Sequence, residues 1–496
     1  MSKSSCVLFA IFILTAILTG TSCSGSSGDA NPAYSYVAEG RGTWIGRTRN
    51  VDWDSTMAAL AAAGINMVFP NMCSAGAASY SSEFLPMTTE RDELALCIEA
   101  AHRYGIEVHV WRINWYMSGC PDSFTTAMEQ AGRIQYSWDG KRNPQVMKEQ
   151  GYDQNRDWLC PSHPDNRKLE FDSMLELVRK YDVDGVHFDY MRYSNDQLCY
   201  CDGCRKRFAE DSGLKLDNWP KEVWKEGPYR EVYLDWRRKL IQSSAREIAR
   251  AVHTLDPYVC VSLAARTGVS WAYESDAQVW WDWIGEGILD FVCPMNYTGD
   301  PERFETTMKS HLPLTRGQVP YYSGIGLYEM KTLEPMLKNI AIGRELGQDG
   351  WLTFELRSLR QQLEPIGREL NTTPALLPHR APETHFFFDK TESETEEGFP
   401  VYAPGQPAGC RVSLMLRGKL HAGISRLTGD AVVVAMDGQV VQRLNGFDQR
   451  TSSILELAPA LNQPGRYRLS LYGMMTLSNG EEKPFIVKSF PFQVRS

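Results

Sequence analysis

Val183-Asp184-Gly185-Val186-His187-Phe188-Asp189-Tyr190 is a short apolar run broken by polar side chains toward its end. Side chains alternate along a strand, so His187 and Asp189 share one face while Val186 and Phe188 take the other. A strand covered on both faces should be apolar through its middle. Polar groups near its C-terminal end therefore point to the mouth of a parallel barrel, where sites are built. The plain structural reading of the same carboxylate is a loop cap, or a partner for Arg192.

Working outward, short apolar strands alternate with amphipathic stretches. Eight strands are predicted, at 42–48, 65–72, 107–114, 183–190, 258–264, 290–297, 318–324 and 350–354. Helical runs fall between them, at 53–63, 90–104, 167–181, 229–254 and 333–346. This is the pattern of parallel βα units, and its count and length predict a (β/α)8 barrel over 40–370. The runner-up, a doubly wound open sheet, would need a glycine-rich phosphate turn to look functional, and none is found. Two connections are long, 115–167 after the third strand and 192–228 after the fourth, and long loops at that end of a barrel build clefts. A linker is read at 371–402, where Pro374, Pro378 and Pro382 break regular structure. From 403 to 496 the texture changes to alternating strands with Asp-Gly and Asn-Gly turns, which predicts a β-sandwich.

The whole chain has 496 residues, 43% hydrophobic and 23% charged, with a net charge of −9. That balance argues against nucleic acid and against docking on an anionic bilayer. Fourteen Trp and 22 Tyr offer flat apolar faces with one polar tip, which suits sugar rings and barrel cores alike. Residues 1–30 read as an export leader with a Gly/Ser tether: Lys3, an apolar run to Leu18, then Cys23 before Ser24-Gly25-Ser26-Ser27-Gly28. The segment resembles a bacterial lipoprotein signal, which implies lipidation of Cys23; plain secretion is the alternative. A lipid chain would then be the only membrane attachment, and the expected location is the cell envelope.

Tyr181-Asp182-Val183-Asp184-Gly185-Val186-His187-Phe188-Asp189-Tyr190-Met191-Arg192-Tyr193 resembles the signature of the glycosyl-hydrolase-like family ten proteins. Arg41-Gly42-Thr43-Trp44, Trp283 through Tyr297, and Tyr322 through Gly326 resemble other parts of that family, in the right order. The resemblance spans nearly the whole barrel and not the C-terminal region. It implies glycan cleavage in the bacterial envelope, with some relatives acting on peptidoglycan glycan strands. One position departs from the pattern: Val279 stands where an acidic residue is expected after Gln278.

Glycosidic cleavage usually takes two carboxylates. Asp189 is the first, and Glu355, directly after the eighth strand, is the best second. Asp282, Asp300 and Glu329 are competing carboxylates on neighbouring loops. His187, Arg192, Trp111, Asn71, Asn296, Tyr297 and Asp276 are expected to contact substrate. The expected function is hydrolysis of O-glycosidic bonds in a polysaccharide or envelope glycan, with no cofactor needed for catalysis. The alternative is a non-catalytic glycan-binding envelope protein that uses the same cleft. A zinc deacetylase is weaker, because only nine His are scattered along the chain.

Twelve Cys are present. Cys199, Cys201 and Cys204 lie within six residues, as in metal-binding turns, and Cys160 or Cys120 could complete a four-thiol set. Such a set would hold a structural zinc; a disulfide with free thiols is the other reading.

Overall fold

The computed structural model describes residues 31–315, 317–395 and 397–496. The leader and Cys23 lie outside the described residues. Eight parallel strands form the barrel: β1 Gly40–Ile45, β2 Met67–Ser74, β3 Glu107–Ile113, β4 Gly185–Asp189, β5 Cys260–Ala265, β6 Phe291–Pro294, β7 Tyr322–Gly326 and β8 Gly350–Phe354. Neighbours pair in parallel from β6 back to β1 and on through β8 to β7, with one register shift, between Asn71 and Cys73, in the β2–β3 pair. A single parallel bridge between Val292 and Tyr321 closes the ring. Each predicted strand is present, with ends moved by a few residues. Among the described residues, no helix is long and apolar enough to cross a membrane.

The alternation read in β4 holds. Val186 and Phe188 join the outer core between strands and helices. The inner side is filled by Trp44, Phe69, Trp111, Phe291, Tyr322 and Leu352. Gly185 is required because His109 of β3 fills the space beside it: a Cβ there would sit 2.1 Å from His109 Nδ1.

Helices such as Trp53–Ala62, Glu93–Arg103, Pro164–Lys180 and Arg230–Leu255 cover the barrel. Asp52 and Asp92 cap the first two by accepting from Ser55 N (3.1 Å) and Ala95 N (2.9 Å), which satisfies otherwise unpaired backbone donors. The long connection after β3 carries helices Asp122–Gln130 and Asn143–Glu149, and the one after β4 carries Asp202–Ser212.

Beyond the barrel, a three-stranded and a six-stranded sheet enclose a second core of Val412, Leu414, Leu427, Val433, Leu469 and Phe485. This is a β-sandwich. The stretch read as linker carries Thr384–Phe388, which pairs antiparallel with Cys410–Leu414 at the edge of the smaller sheet. The sandwich lies against the N-terminal end of the barrel strands. Between the two, Pro378–Arg380 enters the barrel floor. His379 lies against Glu107 (2.9 Å) and accepts from the Tyr322 hydroxyl (2.8 Å). Arg380 donates to Glu107 at 2.6 Å and to the carbonyls of Tyr258, Lys419 and Asp184 at 2.7, 2.9 and 3.1 Å. A cavity of about 660 Å3 lies at this junction, lined by residues such as Tyr258, Asp290 and Lys488. It is at the opposite end of the barrel from Asp189.

Candidate active site

Asp189 ends β4 at the mouth and is 5% exposed. Three neighbours fix it. The Trp111 indole N–H donates to Oδ2 at 2.9 Å, and the Tyr190 amide donates to Oδ1 at 2.7 Å. The Asn114 amide donates to its carbonyl at 2.7 Å. Tyr190 itself is left-handed, with φ 56°, a conformation that costs a non-glycine residue some strain and is met most often at sites. Burial pushes the Asp189 carboxyl up to about 6, against the pull of Arg192, the two hydrogen bonds and Arg266. The group is therefore poised to hold a proton close to neutral pH.

Glu355 follows β8 and is half-buried. Its Oε2 accepts from Gly46 N at 2.8 Å. A Cβ at position 46 would lie 2.7 Å from that oxygen and 3.9 Å from the far edge of the Trp111 ring. Asp189 thus sits at the nitrogen side of the indole, while Glu355 and the far edge of the same ring both adjoin Gly46. The fold brings the two carboxylates around one aromatic plate.

Aromatic rings line the rest of the mouth. Tyr297 lies 5.2 Å from Phe354 and edge-on to Trp44 at 6.1 Å, with half-exposed Tyr328 beside it. Its hydroxyl is pushed well above the usual range by burial first, then by Asp189. On the other side, Tyr190 stacks on Tyr116 at 5.7 Å and leans on Trp158 at 5.1 Å. Arg192 covers the Tyr190 ring at 4.4 Å and lies 3.9 Å from Asp276, so its nearest carboxylate contact is not Asp189. Asn71 donates to the Trp111 backbone carbonyl at 3.2 Å and so ties β2 to β3 beside that residue.

Three expected substrate contacts are placed otherwise. His187 is fully buried below the mouth. Its Nε2 accepts from the Trp44 indole at 3.1 Å, and its Nδ1 lies 2.8 Å from the Ser262 hydroxyl. Burial drives its pKa far down, so it is a neutral packing residue. Asn296 is 2% exposed and spends its amide donor on the Tyr321 hydroxyl at 2.9 Å. Tyr321 continues through His311 to the Thr267 carbonyl, so Asn296 belongs to a buried chain. Asp276 is fully buried, with Arg266 Nε 2.8 Å from Oδ2 and off the hydrogen-bond line.

Of the competing carboxylates, Asp300 caps the helix Pro301–Thr315 and Glu329 is exposed. Gln278 accepts from the Arg266 amide at 2.7 Å and Val279 is buried, so Asp276 is the buried acid of that loop. Sequence reading missed Gly46, Tyr116, Trp158, Tyr190 and Phe354. Phe354 and Tyr190 adjoin the two carboxylates in the chain, which was a usable signal; Gly46 gave none.

Four thiols meet behind the Tyr190 wall. Cys160, Cys199, Cys201 and Cys204 are all buried, and their sulfurs lie within 4.8 Å of one another. The fold selects Cys160, not Cys120, whose sulfur touches Thr125 at 3.2 Å.

A parallel barrel with two carboxylates in an aromatic mouth is an architecture of the glycoside hydrolases. Residues 39–316, more than half of the chain, match the family described as Glycosyl hydrolase-like 10, and the chain belongs to that family. It is 24% identical over 268 residues to the Glycosyl hydrolase DigH of Escherichia coli K12, covering 47% of this chain and 55% of that protein. It is 21% identical over 306 residues to the Glycosyl hydrolase YngK of Bacillus subtilis, covering 52% and 54%. The chain thus spans about half the length of these relatives. The PgaB (BpsB) glycoside hydrolase domain from Bordetella bronchiseptica superposes with a TM-score of 0.54 at 13% identity, covering 68% of this chain and 99% of that domain. That likeness is one of fold.

Proposed function

We propose that the chain is a glycoside hydrolase that cleaves O-glycosidic bonds of a polysaccharide or envelope glycan, with Asp189 as general acid and Glu355 as the partner base or nucleophile. The observation that carries this reading is the unequal pair around Trp111. Asp189 is raised to about 6 by burial, while Glu355 is half-buried and held by one backbone donor. Two carboxylates in unlike surroundings are what a proton donor and its partner require. The rings of Tyr297, Tyr328 and Phe354 offer faces for sugar stacking. The leader and Cys23 support a location outside the cytoplasm, on a lipid anchor.

Incubation of the purified chain with soluble polysaccharides and with peptidoglycan glycan strands, followed by reducing-end release, tests the proposal. Release by the wild type, and its loss in Asp189→Asn with glycan binding retained, is the expected result. Binding of one of these glycans without release of reducing ends would favour the non-catalytic reading and overturn this one.

A further inference from the structure

We propose that Cys160, Cys199, Cys201 and Cys204 bind one zinc ion, which joins the two insertions that form a wall of the cleft. The inference is independent of whether the cleft cleaves glycans.

The distances fit a metal. Four sulfurs at about 2.3 Å from a tetrahedral zinc stand about 3.8 Å from one another. Here Cys160 and Cys204 are 3.5 Å apart and Cys160 and Cys201 are 3.8 Å apart. A disulfide would need about 2.05 Å, and all four thiols are free. Thiols are weak hydrogen-bonding groups and would serve the core equally well dispersed, so convergence of four on one point calls for a ligand.

The surroundings fit the charge of a tetrathiolate centre. Zinc with four thiolates carries a net charge of −2, which neighbouring donors must offset. The Cys204 amide donates to the Cys201 sulfur at 3.4 Å. Arg207 reaches the Cys160 sulfur at 3.8 Å and donates to Ser162 Oγ at 3.0 Å. Ser162 Oγ itself lies 3.2 Å from Cys160 and 3.3 Å from Cys204. Four soft ligands close the coordination shell and leave no position for water or substrate, so the ion is structural.

Its position gives it a role. Cys160 is two residues from Trp158, which packs on Tyr190 and Arg192. Cys199 and Cys201 lead into the helix Asp202–Ser212 of the β4 connection and Cys204 lies in its first turn, and that connection leaves the strand through Tyr190 and Arg192. The ion therefore pins together the backbones that carry both halves of one aromatic wall.

Metal analysis of the purified full chain tests this. One zinc per chain is expected, falling below one tenth in a Cys201→Ser, Cys204→Ser double variant and unchanged in Cys120→Ser. Removal of zinc by a strong chelator should open the 115–167 and 192–228 connections to limited proteolysis while the sandwich stays resistant. If the double variant does not fold, cobalt replacement in the wild type keeps the proposal testable, since tetrahedral thiolate ligation gives intense near-ultraviolet charge-transfer absorption. Metal-free protein with all ten described thiols alkylated without reduction would overturn the proposal. A disulfide within the cluster, or iron in place of zinc, would do the same.

Discussion

Replacing Asp189 by Asn should make the protein more stable at neutral pH while removing the proposed activity. The buried carboxyl titrates near 6 in the folded chain against an ordinary value of 3.8. Between those values the folded state holds a proton that the unfolded state has lost, so stability falls as pH rises from about 4 to about 6 and then levels. A shift of roughly two units corresponds to about 3 kcal/mol. The Asn variant has no such group. It keeps an acceptor for the Trp111 N–H, but it must turn its amide toward the Tyr190 N–H, at a cost of about 1 kcal/mol. The variant should therefore be about 1 kcal/mol less stable than wild type at pH 4 and about 2 kcal/mol more stable at pH 8. Urea unfolding of both proteins at several pH values measures this. All fourteen Trp lie between Trp44 and Trp351, so fluorescence reports on the barrel and not on the sandwich. A stability difference that stays flat from pH 4 to pH 8, or that favours the wild type increasingly as pH rises, would refute the burial argument.

If Asp189 donates a proton, kcat/KM should fall on an alkaline limb near pH 6, and Trp111→Phe should move that limb up by about one pH unit, because the lost N–H stabilised the anion. Glu355→Gln should lower kcat by about 10²–10⁴-fold with the fold intact by circular dichroism. Unchanged kcat in Glu355→Gln would remove Glu355 from the chemistry, and Gly46→Ala, whose methyl would fall 2.7 Å from Glu355 Oε2, should displace that carboxylate and lower kcat by a smaller factor. Arg112→Met should cost about 3–5 kcal/mol in chemical denaturation, because it strands the fully buried Glu170 that Arg112 grips with two bonds of 2.9 Å.

The barrel was legible because each strand is an apolar run between turn residues, and eight such runs fit one architecture. Alternation placed Asp189 and His187 on the same face but said nothing of depth. Two residues along a strand are about 6.6 Å, enough to put one at the mouth and the other in the packed interior. Within the sandwich, Val440–Gln449 is hard to read as a strand because Phe447 is its one buried side chain, so it lacks the apolar beat that marks its neighbours. Thr384–Phe388 escaped because prolines just before it read as a break. The spacing of Cys199, Cys201 and Cys204 announced a cluster. Only the packing of the 115–167 connection could decide which distant thiol joins it.

The short segment Pro378–Arg380 has a bearing on how this molecule can be cut. By order along the chain it belongs to the tail, yet it stoppers the floor of the barrel. A fragment ending with the last barrel helix would leave Glu107 without Arg380 and His379, its partners at 2.6 and 2.9 Å. A carboxylate and His109 would then stand open to water beneath Phe69 and Phe291. The tail is in this sense a cork threaded on its own string, and a stand-alone barrel must keep at least that much of it.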